Sequence, residues 1–166
     1  MRRFWYDTEF MEAPGFLELL SIGVVGEDGR EFYAEVADAP VERANPWVRD
    51  HVLPHLGKPG VHRWTKPVIR HHLERFLAPR AVDPVELWGY FSAFDHVLLA
   101  WLWGPMAALP PGMPMLTLDV KQLTLGQGSP ALPPMVATME HNALWDARWV
   151  RDAWAQLTGA HARAGS

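Results

Sequence analysis

The pattern of apolar and polar positions opens with three strand-like runs. Arg3 to Glu9 is rich in aromatic residues and reads as a first strand. Leu17 to Val25, apolar and β-branched toward its end, reads as a second, and Arg30 to Val36 as a third. Gly26-Glu27-Asp28-Gly29 between the last two is a strong turn signal. The opening of the chain therefore predicts a β-meander.

The period then changes. Asn45-Pro46 is a good cap and first-turn pair for a helix to about His55. Lys58-Pro59-Gly60 breaks the chain, and Thr65 caps a second helix carrying Ile69, Leu73, Phe76 and Leu77. Pro79 and Pro84 bracket a loop, Val85 to Tyr90 predicts a short strand, and Phe94, Val97, Leu98 and Trp101 follow at helical spacing. Gly104 to Pro114 is a proline-rich loop, Leu118 to Leu125 a predicted helix ended by Gly126, and Gln127 to Pro134 another loop. The last predicted helix is Asn142 to Leu157. Three strands followed by alternating helices and a further strand predict an α/β fold, a mixed sheet flanked by helices. One domain over residues 1–158 is expected, with 159–166 a frayed tail.

Composition narrows the class. Hydrophobic residues at 49% and charged residues at 20% describe a globular chain. The absence of cysteine excludes disulfides and thiolate metal sites. The N-terminus turns acidic too soon for a secretory signal, and Val97 to Leu109 is too short to span a bilayer, so the expectation is a soluble cytoplasmic protein without a membrane partner. A net charge of −4 argues against coating long nucleic acid through a broad basic surface. It leaves room for a nuclease that grips a few nucleotides, because bound cations reverse the sign of an acidic pocket.

The candidate chemistry lies in three clusters: Asp7-Thr8-Glu9, Phe94-Asp95, and His141-Asn142-Ala143-Leu144-Trp145-Asp146. Asp7 and Glu9, two apart on a strand, project from the same face about 7 Å apart along the backbone. They can converge on two cations spaced about 3.5–4 Å, and hard carboxylate oxygens suit Mg²⁺ or Mn²⁺. Asp95 alone reads as an acid favoured by a helix N-terminus, but its apolar neighbours Phe94 and Val97 aim it from a packed element into a cleft. Asp146 falls on the early turns of the last helix, and His141 in the loop before it suits a general base. Together these are the parts of a two-metal phosphodiester-cleaving site. The chain contains no G-x-S-x-G, P-loop or G-x-G-x-x-G. The other seven histidines show no zinc pattern and read as surface or structural.

Phe10 and Met11 follow the first cluster and are expected to line a terminal nucleotide, whose base needs an apolar or aromatic face. Glu18 is a candidate acceptor for an adenine amino group, and Arg148 and Arg151 are candidates for phosphate contact.

With these clusters in order, the chain resembles the DEDDh superfamily of 3′–5′ exonucleases: Asp7-Thr8-Glu9 looks like its first motif, Phe94-Asp95 its second, and His141 with Asp146 its third. A closer resemblance is to the bacterial polyadenylate-specific exoribonuclease group, RNase AS. It rests on 4–10 (FWYDTEF), 18–25 (ELLSIGVV), 47–54 (WVRDHVLP) and 102–106 (LWGPM). The resemblance implies an RNase H-like fold, two Mg²⁺, a homodimer, and release of nucleoside 5′-monophosphates from adenylate-rich RNA 3′ ends. One departure stands out. Many DEDDh members carry a His-Asn pair upstream of the second aspartate, where this chain has Tyr90-Phe91. Alternatives left by the sequence are a single-strand DNA 3′–5′ exonuclease, a non-catalytic nucleic-acid-binding domain and a metal-dependent phosphomonoesterase.

Overall fold

The computed structural model describes residues 1–136 and 141–160. The meander forms as the pattern predicts, with longer strands: β1 is Arg2–Ala13, β2 Phe16–Gly26 and β3 Glu31–Val36. β1 runs past Glu9 because Pro14 and Gly15, the latter at φ 75°, turn it directly into β2. Asn45 caps α1 (Pro46–His51) by accepting the Val48 amide at 2.9 Å. The helix expected to reach His55 stops earlier and passes into a 3₁₀ turn at Leu53–His55, since Pro54 has no N–H to continue the ladder. β4 (Arg63–Trp64) and α2 (Lys66–Leu77) follow, then β5 (Val85–Gly89) and α3 (Ala93–Trp101).

The predicted helix at Leu118 is corrected: Leu118–Asp119 forms β6, and α4 occupies Val120–Gly126. Asp119 is extended and its Oδ1 accepts the Lys121 amide at 2.7 Å, so it caps the helix rather than entering it. α5 spans Ala143–Thr158, with Gly159 in the left-handed conformation that ends it. Of the tail expected to fray, residues 161–166 lie outside the described residues.

The six strands form one sheet in the order β4-β3-β2-β1-β5-β6. The β1–β2 and β2–β3 pairs are antiparallel, and the remaining three are parallel. This is the expected mixed α/β sheet flanked by helices. On one face Phe4, Tyr6, Ile22 and Val24 pack with Ile69 and Leu73 of α2 and Leu98 and Leu99 of α3. On the other, Trp5 packs with Val120 of α4 and Val150, Ala153 and Trp154 of α5. A third cluster joins Met11 and Leu20 to Val48 and Val52 beside α1.

The strand alternation of β1 thus puts Asp7 and Glu9 on the α5 side, beyond Trp5. Gly23 lies opposite Asp7, and a Cβ there would stand 2.3 Å from the Ala143 carbonyl and the Leu144 nitrogen. Glycine at 23 is what lets the first turn of α5 settle onto the sheet beside the acids.

Candidate active site

Asp7, Glu9 and Asp146 converge. One carboxylate oxygen from each lies within 4.8 Å of the others. Around a cation with bonds of about 2.1 Å, ligand oxygens sit roughly 3–4 Å apart, so this spacing fits a divalent ion with little adjustment. Asp95 approaches from α3 and is 6% exposed. Its Oδ1 accepts both the backbone amide of Thr8 (2.9 Å) and the Thr8 hydroxyl (2.6 Å), which leaves Oδ2 without either of those donors. Thr8, between the two acids of β1, therefore holds the fourth acid, Asp95.

His141 enters α5 at φ 65°, and its backbone N–H donates to Asp146 Oδ2 at 3.0 Å. Its ring stands edge-on to Trp47 of α1 at 4.9 Å, and Trp47 is stacked on His51 at 5.0 Å. All five sequence-derived residues line one cleft of about 450 Å³, which also takes in Trp47, Tyr90, Phe91 and Phe94.

The electrostatics follow from crowding acids without cations. Burial, then the charges of Asp146 and Asp95, push the Glu9 carboxyl up to about 9. Burial and the neighbouring acids raise Asp7 well above the usual carboxylate range. Burial lifts Asp95 only to about 6, because the two Thr8 bonds favour its charged form. Among the described residues no lysine or arginine pairs with Asp7, Glu9 or Asp95. Oxygen donors and buried charge, with no described lysine or arginine on Asp7, Glu9 or Asp95, together fit a hard divalent cation.

Comparisons with known proteins identify the family. Residues 2–158 match the family described as Rv2179c-like, the 3′–5′ exoribonuclease Rv2179c-like domain. The chain belongs to that family. Two relatives, the 3′–5′ exoribonucleases Rv2179c and MT2234.1 of Mycobacterium tuberculosis strains H37Rv and CDC 1551, are each 49% identical over 147 residues, covering 88% of this chain and 87% of theirs. A solved structure, cell-death related nuclease 4 (CRN-4), shares the fold at a TM-score of 0.54 and 9% identity. The alignment covers 95% of this chain and 64% of CRN-4. The exoribonuclease class is what the resemblance implied; the three clusters by themselves predicted a phosphodiester-cleaving enzyme.

The other candidates of this Rv2179c-like chain divide. Phe10 lines the cleft, its ring 5.7 Å from Phe94. Met11 does not: it shares the face of Asp7 and Glu9 but is 1% exposed, covered by Val48 and Val52. Glu18 also stands outside the cleft, ion-paired with Lys66 at the start of α2. Arg148 is committed to Glu31 through two bonds of 2.7 and 2.6 Å, and Arg151 to Asp152. What sequence reasoning missed is the aromatic wall. Trp47, Phe91 and Phe94, which the sequence showed only as members of motif stretches with no role of their own, are 51%, 66% and 50% exposed and line the cleft.

The crowded acids give a pH prediction. A carboxyl whose folded value is raised binds its proton more tightly when folded. Its stabilising effect is complete below the unfolded value near 4.5 and is lost as pH rises through about 9. Metal-free protein in EDTA should therefore melt higher at pH 6 than at pH 8. Glu9→Gln should raise the pH 8 melting temperature by about 3–8 °C and flatten the dependence. A flat wild-type profile, or a lower melting temperature for Glu9→Gln, contradicts the crowding.

Proposed function

We propose that the chain is a DEDDh-type exoribonuclease that removes nucleoside 5′-monophosphates from RNA 3′ ends, preferring adenylate-rich ends and working with two Mg²⁺ or Mn²⁺ ions. The observation that carries this reading is the convergence of Asp7, Glu9 and Asp146, with Asp95 held beside them and His141 at the cleft wall. Asp7, Glu9, Asp95 and Asp146 would hold the cations. Bound there, the ions would supply stabilisation of the charge that develops on the attacking and leaving oxygens.

The chain's own groups do the rest. His141 takes the proton from the attacking water at its imidazole. The bond from its backbone N–H to Asp146 fixes the ring's attachment point relative to the acids. Thr8 orients Asp95. Trp47 and Phe94 offer faces on which unpaired bases stack, which suits a single strand rather than a duplex. A homodimer belongs to the same reading, and the exposed Trp101, Met115 and Leu116 supply apolar surface for one. No described helix is long and apolar enough to cross a membrane.

The test is a digest of matched homopolymer RNAs and of oligo(A) against oligo(dA), with Mg²⁺ and with EDTA. Adenosine 5′-monophosphate should be released fastest, from RNA, and only without EDTA. Equal degradation of oligo(dA) would point to the DNA enzyme instead. Hydrolysis of p-nitrophenyl phosphate with RNA left intact would leave a phosphomonoesterase.

A further inference from the structure

The turn joining β5 to α3 spends conformational energy to put an aromatic ring in solvent. Phe91 adopts φ 54°, a left-handed conformation that a residue with a bulky side chain rarely takes. Its ring is nevertheless 66% exposed, the most open of the cleft-lining aromatics. The turn is built to enforce this. The Ala93 amide bonds back to the Phe91 carbonyl at 2.9 Å, and the Ser92 amide donates to Asp119 Oδ2 at 2.9 Å. Gly89 permits the fold-back, since a Cβ there would meet the Ser92 Cβ at 2.5 Å. Burial gains nothing from the arrangement, because the ring is not in the core.

Two neighbours give the exposed ring a use. The Tyr90 ring, 4.8 Å away and edge-on, braces it from inside the cleft. The Lys121 ammonium stands over the Phe91 ring, 5.6 Å from its centre. An exposed aromatic ring with a cation at its face offers a nucleotide two contacts: stacking for the base and a charge for the phosphate. Phe91 lines the acidic cleft and Lys121 does not, so the pair lies at its edge.

We infer that Phe91 and Lys121 form a subsite for a nucleotide upstream of the one being removed, Phe91 stacking on its base and Lys121 meeting its phosphate. The subsite rests on the exoribonuclease reading above. It contacts substrate away from the reacting atoms, so it acts on the affinity for longer strands and leaves the chemical step alone.

The experiment compares steady-state hydrolysis of the p-nitrophenyl ester of adenosine 5′-monophosphate, which has no upstream nucleotide, and of a ten-nucleotide oligo(A) by wild type, Phe91→Ala, Phe91→Trp, Phe91→Gly and Lys121→Ala. For Phe91→Ala, KM on the decamer should rise about 10-fold with kcat unchanged, while kinetics on the ester stay at wild-type values. Phe91→Trp should keep the decamer KM. Phe91→Gly should match the alanine variant in KM yet melt at or above wild type, because glycine relaxes the left-handed turn. Lys121→Ala should reduce the slope of log KM against log salt on the decamer by about 0.7. An unchanged decamer KM for Phe91→Ala, or an equal rise on both substrates, overturns the subsite while leaving the exoribonuclease intact. Wild-type protein that cleaves neither substrate would overturn the parent reading, and the subsite with it.

Discussion

Asp7→Asn should lower hydrolysis of an RNA 3′ end at least about 10³-fold without unfolding the protein. Asp7 sits among the other acids: its oxygen is within 4.8 Å of both Glu9 and Asp146, and its carboxyl is raised by burial and then by the charges of Asp95, Glu9 and Asp146. Asparagine preserves the shape and one carbonyl oxygen but removes the negative charge, and a neutral amide is a poor ligand for a hard dication. The same loss of charge relieves repulsion in the metal-free fold, so its melting temperature in EDTA should match or exceed that of wild type. Single-turnover digestion of a 5′-labelled oligo(A), run beside a thermal melt, separates the two effects. More than about a tenth of wild-type rate in a folded variant would remove Asp7 from the site.

Gly23→Ala should damage fold and activity together. The added Cβ would lie 2.3 Å from the carbonyl carbon and oxygen of Ala143 and from the Leu144 nitrogen. These are backbone atoms and cannot swing aside as the end of a flexible side chain would. The first turn of α5 must lift, and it carries Asp146 and adjoins His141. Overpacking of this kind costs about 1–3 kcal/mol, or roughly 2–12 °C in a domain of this size. A displacement near 1 Å at the acids costs about another 10² in rate. Gly126→Ala is the control: its Cβ meets nothing within 4 Å, and it should leave both quantities near wild type. A Gly23→Ala protein with native melting and full activity would show that α5 is free to shift, and that the site does not depend on its close approach.

These two positions also show where sequence reading works and where it stops. Asp7 was legible because it is a charge at the end of an aromatic strand, with a second acid at the strand's own period. Asp146 and His141 were legible because a capped helix fixes which residues begin it. The β-meander and α2 came through for similar reasons: long apolar runs ended by glycine and proline. β4 and β6 did not, being two residues each and too short to show a period. Gly23 looks like any strand glycine until α5 is laid across it. Met11 was misplaced because alternation gives its face correctly but says nothing of α1 lying over it. Glu18 was misplaced because its partner Lys66 is 48 residues away in sequence. The Thr8 grip on Asp95 is likewise a meeting of two elements, 87 residues apart.

Folding brings acids from both ends and the middle of the chain into one cleft, where the proposed function places shared cations. Anomalous diffraction from crystals soaked in Mn²⁺ tests it most directly. Manganese peaks should appear within about 2.5 Å of carboxylate oxygens of Asp7, Glu9 and Asp146, with Asp95 beside them. Ordered carboxylates in those positions with no peak among them, at Mn²⁺ concentrations that support hydrolysis, would contradict the account.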